Sequence, residues 1–593
     1  MTQRPIAAAR GRVGALIAAL TLVAVLVPVA VAKPPSGGPA EQNAKTTSIQ
    51  ILGLNDFHGQ LEAFPAAASS GNRIGALTAG VCTAPTCYPA GGVEYLATHV
   101  RSLQATNPNT VFVSAGDLIG ATPLLSALFH DEPSIEAFNM MDLDYNGVGN
   151  HEFDEGIDEL LRMQYGGCHP VDGCGDGDGF DGADFQFLAA NVAYEDSGDT
   201  IFPPFAIEHF NGVKVAFIGM TLEGTPLIVS PAGISTVDFL DEAETVNNLV
   251  PILKGQGVET IVVLLHEGGS PSNTGTTTPE TSIDSCVNPS GALPPIVAAM
   301  DDEVDVVITG HTNWAVNCVI DGKVVTGAAS QGRLITDIDL TISRATKDVI
   351  PSMTTVNNVI VTRDVAPAAD MTALIAEYNV FAGPIAAEVV GHITGPLTRT
   401  ANAAGESTMG RLIADAQLAS TQADAQPGQI AFMNPGGMRA DLAFTAPGPE
   451  PVTHGEAFAV QPFSNVVTTK TYTGAQIKTI LEQQFVTSAN APRTLVLPVS
   501  AGFTYTWTAS APIGSKVSNM MLNGNPILPG SSYRVTANNF LAGGGDDFPG
   551  FTVGTNEQVG LDDLVALEAY LDVNDPYTPS VSPPAPVRIT RVP

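Results

Sequence analysis

Between residues 45 and 343 short apolar runs alternate with longer mixed segments. "TTSIQILGL", "NTVFVSAG", "VKVAFIGM", "TIVVLLHEGG" and "DVVITGH" are rich in Val and Ile and bounded by Gly or polar residues. Such runs predict buried strands. "GGVEYLATHVRSLQAT" and "DEAETVNNLVPILKGQG" instead space their apolar residues as helices do. Strand and helix in alternation predict an α/β layered domain, placed at residues 46–345. A junction follows at 346–388, where "VAPAADMTALIAEYNVFAGPIAAEVVG" predicts one helix crossing between domains. Residues 389–575 form a second, α+β domain. "STMGRLIADAQLAS" and "TGAQIKTILEQQF" are its helices, and "GFTYTWTAS" and "SSYRVTANNF" its strands. Residues 576–593 form a Pro-rich tail, expected to be extended.

The stretch from Met1 to Ala32 has a different pattern. Arg4, Arg10 and Arg12 precede an apolar run ending in "AVA". That is the layout of a signal peptide cleaved after Ala32, the alternative being an uncleaved anchor. Residues 33–45 are a polar, flexible lead-in. No later run is long and apolar enough to span a membrane, so a secreted, periplasmic or cell-wall-associated protein is expected, its oligomeric state unspecified.

The six cysteines agree with export. Cys82 with Cys87 and Cys168 with Cys174 are close enough for small loops, leaving Cys286 with Cys318. A zinc site is the rival, but CxxC spacing is absent. The formal charge of −35 comes from 25 Lys and Arg against 60 Asp and Glu. So few cations argue against a nucleic-acid polymer as partner, and an anionic substrate would need a local cation to reverse the field. The acidic stretch 168–184 carries Asp172, Asp176, Asp178, Asp181 and Asp184. It reads as a solvated disulfide-closed loop or a calcium site, although its spacing is not that of an EF-hand.

Chemistry-bearing residues follow the predicted strands closely. "ILGLNDFHG" ends in Asp56 and His58, "VFVSAGDL" in Asp117, "IVVLLHEGG" in His266, and "VVITGHTN" in His311 and Asn313. "YNGVGNHEFDEG" sets Asn150, His151, Glu152 and Asp154 after a glycine-bracketed turn. Ligands of open α/β sheets collect at the carboxyl ends of strands. Four of only ten histidines lie at such ends, too many for ordinary loop placement. Carboxylate, imidazole and amide ligands without cysteine suit two divalent cations sharing one carboxylate, Zn²⁺ or Mn²⁺ foremost. A pair of that kind supports in-line displacement at phosphorus.

Taken together, "NDFHG", "GDL", "GNHEFD", the HEGG after Leu265 and "GHTN" resemble the calcineurin-like metallophosphoesterases. With "GESTMGRLIADA", "NPGGMRADL", "QPFSN" and "NNFLAGGGDDF" the chain resembles the exported 5′-nucleotidase/UDP-sugar hydrolase family over about residues 47–550. The resemblance implies a four-layer αββα sandwich followed by a 5′-nucleotidase C-terminal domain. It implies that Asp56, His58 and Asn313 serve one metal, that Asn150, His266 and His311 serve the other, and that Asp117 bridges them. His151 would act on the phosphoryl or leaving group, oriented by Asp154. Asn434 and Arg439 would bind phosphate and sugar, Phe463 and Phe540 would clamp the base, and Asp546 would hold the ribose. The implied activity is phosphate removal from 5′-nucleotides, with UDP-sugars or cyclic nucleotides as further substrates. The alternatives are a catalytically silent surface adhesion protein and a hydrolase of another ester, such as a sulfur ester. Two positions depart from the family pattern: Ala403 stands where nucleotidases carry an arginine, and Asp547 where they carry Gly.

Overall fold

A computed structural model describes residues 45–63, 73–75, 82, 84, 86–177, 179–271, 283–284, 286, 289–463, 465–485, 494–579 and 587–593. The expected signal peptide and nearly all of the lead-in fall outside them. Among the described residues no helix is long and apolar enough to cross a membrane.

The Val- and Ile-rich runs pair into two six-stranded sheets. In the first, Thr46–Leu54 lies parallel to Thr110–Ser114 and antiparallel to Leu334–Ser343. In the second, Thr260–His266 lies parallel to both Val213–Thr221 and Val306–Thr309. Ile49, Ile51, Val111, Val113, Phe217, Val262, Leu264 and Ile308 fill the space between the sheets. These strands are buried on both faces, which is why they read as continuous apolar runs and not as alternating ones. Helices Val93–Gln104 and Ile157–Tyr165 cover the outer face of the first sheet, and Glu242–Gly255 and Leu293–Ala299 that of the second. The result is the expected αββα sandwich.

Two short strands add to the sequence reading, and the expected crossing helix is present. Tyr145–Gly147, just before the glycine-bracketed turn, is a parallel strand between Thr110–Ser114 and Gln186–Leu188. The expected linker begins with a strand, Thr355–Ile360, that extends the first sheet beyond residue 345. Its pattern, TVNNVI, places three polar residues in a short edge strand and so hides the apolar signal. The crossing helix, Ala369–Ala386, packs Met371, Leu374, Tyr378 and Ala382 into the first domain's core.

The second domain has a four-stranded sheet ordered Ile430–Ala431, Ser532–Asn538, Val466–Thr473, Thr555–Asp562. A second four-stranded sheet is closed by the tail: Ile589–Val592 runs parallel to Phe503–Thr508, and Arg588 grips Asp415 through two hydrogen bonds of 2.8 and 2.6 Å. Residues 580–586 of the expected tail lie outside the described residues, and its end, Ile589–Val592, is a strand built into the domain. The disulfides are Cys82–Cys87, Cys168–Cys174 and Cys286–Cys318, so the zinc alternative for the cysteines fails.

Candidate metal centre and adjoining pocket

The strand ends meet where the two sheets face each other. Asp56, Asp117, Asn150 and His266 are all buried, each 1% exposed or less, and His58 is 7% exposed. Two groups of potential ligands form, Asp56–His58–Asp117 and Asp117–His266–His311. Within each, one ligand atom per residue lies within 4.8 Å of the others, and Asp117 belongs to both.

Backbone geometry marks the same residues. Asp56, His58, Asp117, His311 and Asn313 all have φ between 50° and 66°. Left-handed backbone is uncommon for such residues and clusters where function holds a side chain in place. The turns carrying them are latched together, with Asp56 N donating to Gly116 O and His58 N to Asp117 O.

The side chains present acceptors to one another. His266 Nδ1 lies 2.7 Å from the Ala115 carbonyl, which can only accept, so Nδ1 carries the proton. Its Nε2 then faces Asp117 Oδ2 at 3.0 Å and Asn150 Oδ1 at 3.1 Å, while His311 Nδ1 lies 2.9 Å from the same Asn150 oxygen. Asn150 occupies the N-cap position of the short helix His151–Phe153 but does not cap it. Oxygens and imidazole nitrogens so placed are met either by a proton on Nε2 or by a cation between them. His58 repeats the device, its Nδ1 bound to the Gly120 carbonyl at 2.9 Å and its Nε2 turned to Asp56 and Asp117 at 3.9 and 3.8 Å. Asn55 holds Asp56 Oδ2 at 2.5 Å, while Asp56 Oδ1 is buried without a hydrogen-bond partner. Two ligands ~2.0–2.2 Å from one cation can stand up to ~4.4 Å apart, so these spacings fit.

The electrostatics agree. Burial pushes Asp56 up to about 7 and His58 down to about 3. Burial opposes charge on His266 too, but Asp117 overrides it and raises the imidazole to about 10. Burial likewise opposes ionisation of Asp117, yet His266 and His151 hold it below the ordinary carboxylate range. Asp117 and His266 thus hold each other in their charged forms.

His151 adjoins this cluster. Its backbone N donates to Asp117 Oδ1 at 2.9 Å, and its Nδ1 meets Asp154 Oδ2 at 2.8 Å. Asp154 also accepts from Ala121 N. Glu152, without a role in the sequence reading, is a buried four-way acceptor: Oε2 takes Asp117 N and Gly149 N at 2.9 and 2.7 Å, and Oε1 takes Leu118 N and Asn146 Nδ2 at 2.9 and 3.2 Å. It binds the loops of Asp117 and Asn150 together. A carboxylate beside the "GN" turn is the only hint of this in the sequence.

A cavity of about 280 Å³ opens from Asn150, His151, Asp154 and His311 onto the second domain. Its far wall includes Asn434, Arg439, Phe463, Phe540 and Asp546, so all five expected substrate residues line it. Asn434 Nδ2 donates to Asp546 Oδ2 at 2.9 Å. The Phe463 ring stacks on His151 at 6.0 Å, and the Arg439 guanidinium lies over it at 5.6 Å. A Cβ on Gly545 would come within 2.4 Å of the Phe540 ring, so a larger residue there would displace the ring. Asn313 is exposed, and its amide donates to the His311 carbonyl within its own turn at 3.2 Å. Arg399 and Arg411 flank Ala403 in the sequence, and Arg399 lines a cavity with it. Arg411 is buried in an ion pair with Glu406, and Arg399 pairs with Asp441.

An αββα sandwich with two buried His/Asp groups sharing one aspartate is a metallophosphoesterase-type domain. Residues 389–553 match the family of the 5′-nucleotidase C-terminal domain. The chain belongs to the 5′-nucleotidase family. It is 31% identical over 525 residues to the protein named endonuclease YhcR of Bacillus subtilis, covering 88% of this chain and 39% of that one. It is 32% identical over 548 residues to the cell wall protein Lmo0130 of Listeria monocytogenes, covering 87% and 66%. The chain thus spans less than two thirds of the length of either relative. The 5′-nucleotidase precursor of Thermus thermophilus shares the fold, with a TM-score of 0.69 at 23% identity over 92% of this chain and 99% of that one.

Proposed function

We propose that the protein is an exported two-metal phosphohydrolase acting on 5′-nucleotides, with UDP-sugars and cyclic nucleotides as further substrates. One observation carries this reading: the cluster sharing Asp117 opens directly into a nucleoside-sized cavity lined by an arginine and two phenylalanines. Asp56, His58 and Asn313 would hold one cation, Asn150, His266 and His311 the other, with Asp117 common to both. Bound there, Zn²⁺ or Mn²⁺ would neutralise phosphate charge and make water a stronger nucleophile. Arg439 anchors the phosphate. His151, its Nδ1 fixed by Asp154, turns its other nitrogen to the phosphoryl oxygen or leaving group. Phe463 and Phe540 grip the base through its ring faces, which suits any base, and Asp546, steadied by Asn434, accepts from ribose hydroxyls. Three disulfides and the resemblance to a cell wall protein support a location outside the cytoplasm.

A second reading, hydrolysis of phosphodiesters including polynucleotide ends, is favoured by one feature. Among the described residues Arg439 is the only Lys or Arg lining the cavity, so one guanidinium faces the phosphate, as suits a singly charged diester. The similarity to a protein named as an endonuclease points the same way. Phosphate release from AMP, read beside chromatographic detection of the cleavage products of UDP-glucose, 2′,3′-cyclic AMP and a single-stranded oligonucleotide, separates the two. AMP turnover that is lost with EDTA and in Asp117→Ala supports the first. Oligonucleotide cleavage without AMP turnover would replace it with the second, and no hydrolysis of any ester by the metal-loaded protein would refute both.

A further inference from the structure

Among the described carboxylates outside the metal centre, those of the acidic loop 168–184 do not converge on a common point. Asp176 accepts from the Tyr378 hydroxyl at 3.3 Å, and Asp178 lies outside the described residues. Asp131 behaves differently. It is 7% exposed and occupies the N-cap position of the helix Glu132–Met140, at φ 65°. An aspartate in that position ordinarily accepts from the first turn of its own helix. This one makes no such bond. Its Oδ2 instead accepts from Gly120 N at 3.0 Å, and its Oδ1 from Ser126 Oγ at 2.6 Å. Ser126 Oγ also lies 2.7 Å from Ser134 Oγ, and since it donates to Asp131, Ser134 donates to it.

Gly120 stands at a junction. Its carbonyl accepts from His58 Nδ1 at 2.9 Å, and the N–H of the same peptide unit, that of Ala121, donates to Asp154 Oδ2 at 3.1 Å. The same Asp154 oxygen meets His151 Nδ1 at 2.8 Å. One peptide thus ties the His58 ring to the His151–Asp154 pair. Gly120, at φ 78°, is packed so closely on His151 that a Cβ would come within 2.2 Å of the His151 carbonyl oxygen.

We infer that Asp131 is a positioning residue for the cation held by His58: by seating Gly120 it fixes the carbonyl that sets the His58 ring. The inference rests on the two-cation reading proposed above. Gly120 O can only accept, so His58 Nδ1 carries the proton and Nε2 keeps its lone pair for a metal. The segment bearing that carbonyl, residues 117–121, is neither strand nor helix, so its N–H groups need other acceptors. Carboxylates serve four of them. Glu152 takes Asp117 N and Leu118 N, Asp154 takes Ala121 N, and Asp131 takes Gly120 N. Of these three acids only Asp131 lies outside residues 149–154. It alone fastens the segment to the helix Glu132–Met140, whose Ile135 and Phe138 are buried in the first domain's core. Asp131 itself touches no ligand atom and acts through the Gly120 peptide.

The test is metal affinity, read without turnover by competing Zn²⁺ away with a chromophoric chelator. It is run at pH 8, above the value of about 6 to which burial raises the Asp131 carboxyl. Asp131→Gly keeps the left-handed backbone and removes the carboxylate. It should weaken one of the two ions about 10-fold, the lower end of the ~10–100-fold range for disturbing the partner of a ligand histidine, because the Gly120 carbonyl itself remains. Asp131→Asn keeps an oxygen for Gly120 N and also suits the left-handed backbone. Its NH₂ group can donate to Ser126, which then gives its own proton to Ser134. Both affinities should therefore return to within ~3-fold of the parent. In a His58→Ala background that ion has lost its ligand, so adding Asp131→Gly should leave the remaining ion's affinity unchanged. Parental affinities for both ions in Asp131→Gly would overturn the inference. So would an equal loss at the remaining ion in the His58→Ala background, the mark of a merely structural role. If the glycine variant folds poorly, Ser126→Ala leaves the Asp131 backbone alone and removes the donor that aims its carboxylate. It should weaken the same ion, and unchanged affinities there would equally overturn the assignment. A native chain that takes up fewer than two ions would overturn both this inference and the two-cation reading. One that holds both ions and hydrolyses no ester would refute the phosphohydrolase reading alone.

Discussion

Changing Glu152 to glutamine should be nearly as damaging as changing it to alanine. Each carboxylate oxygen accepts two donors, and three of the four are backbone N–H groups. Glutamine keeps one acceptor oxygen but turns the other into an NH₂ donor facing two donors. It loses two bonds and adds a donor-to-donor conflict. Charge-assisted hydrogen bonds are each worth ~1.5–3 kcal/mol, and a buried unmet donor costs ~1–3 kcal/mol. Against this stands the cost of burying the charge, which raises Glu152 to about 7, burial being the main cause and Asp117 the next. The net loss expected for Glu152→Gln is about 2–4 kcal/mol, and for Glu152→Ala about 3–5 kcal/mol. The assay is urea unfolding at pH 8, where the native carboxylate is ionised. With an m-value of about 3 kcal/mol/M the glutamine variant should unfold at about 1 M less urea. Metal affinity should fall with it, because Glu152 fixes the Asp117 and Asn150 loops. A glutamine variant with the same urea midpoint as the parent would refute the four-donor argument.

Other consequences are as direct. Burial raises Asp305, which accepts from Ile261 N at 3.0 Å, to about 7. Between about pH 4 and 7 the folded chain therefore keeps a proton that the unfolded chain has released, and stability falls as pH rises through that window. Asp305→Asn should remove that part of the slope in unfolding midpoints measured from pH 4.5 to 7.5. Cys286–Cys318 closes a loop of 32 residues, so replacing both with serine should cost about 3–4 kcal/mol in chemical denaturation. Arg439→Ala removes the one guanidinium that lines the cavity among the described residues and should lower kcat/KM for a nucleotide by about 10–100-fold, the range of one charge-assisted contact. Phe540→Ala, by contrast, should raise KM for nucleotides and leave a small phenyl phosphate unaffected, because it removes only base stacking.

The sheet strands were legible because both their faces are buried, which makes Thr260–His266 and Val306–Thr309 unbroken apolar runs. Their ends were legible because charged and imidazole groups interrupt such runs at fixed points. Tyr145–Gly147 and Gln186–Leu188 were not, since segments this short carry no period. Ile589–Val592 was masked by the prolines before it, and its place is set by a partner strand, Phe503–Thr508, far back along the chain. Local sequence also could not give Glu152 its four donors, because these depend on how distant loops close. Left-handed Asp56, His58 and Asp117 leave no mark either, because aspartate and histidine also occur in ordinary turns.

The central claim is that two cations share Asp117. Anomalous diffraction from crystals grown with Mn²⁺ tests it most directly. The expected map holds two peaks about 3.5–4 Å apart, with the Asp117 carboxylate between them and His58 and His266 on opposite sides. Asp117→Asn should lose at least one peak. A single peak, or two that survive Asp117→Asn at full occupancy, would contradict the account.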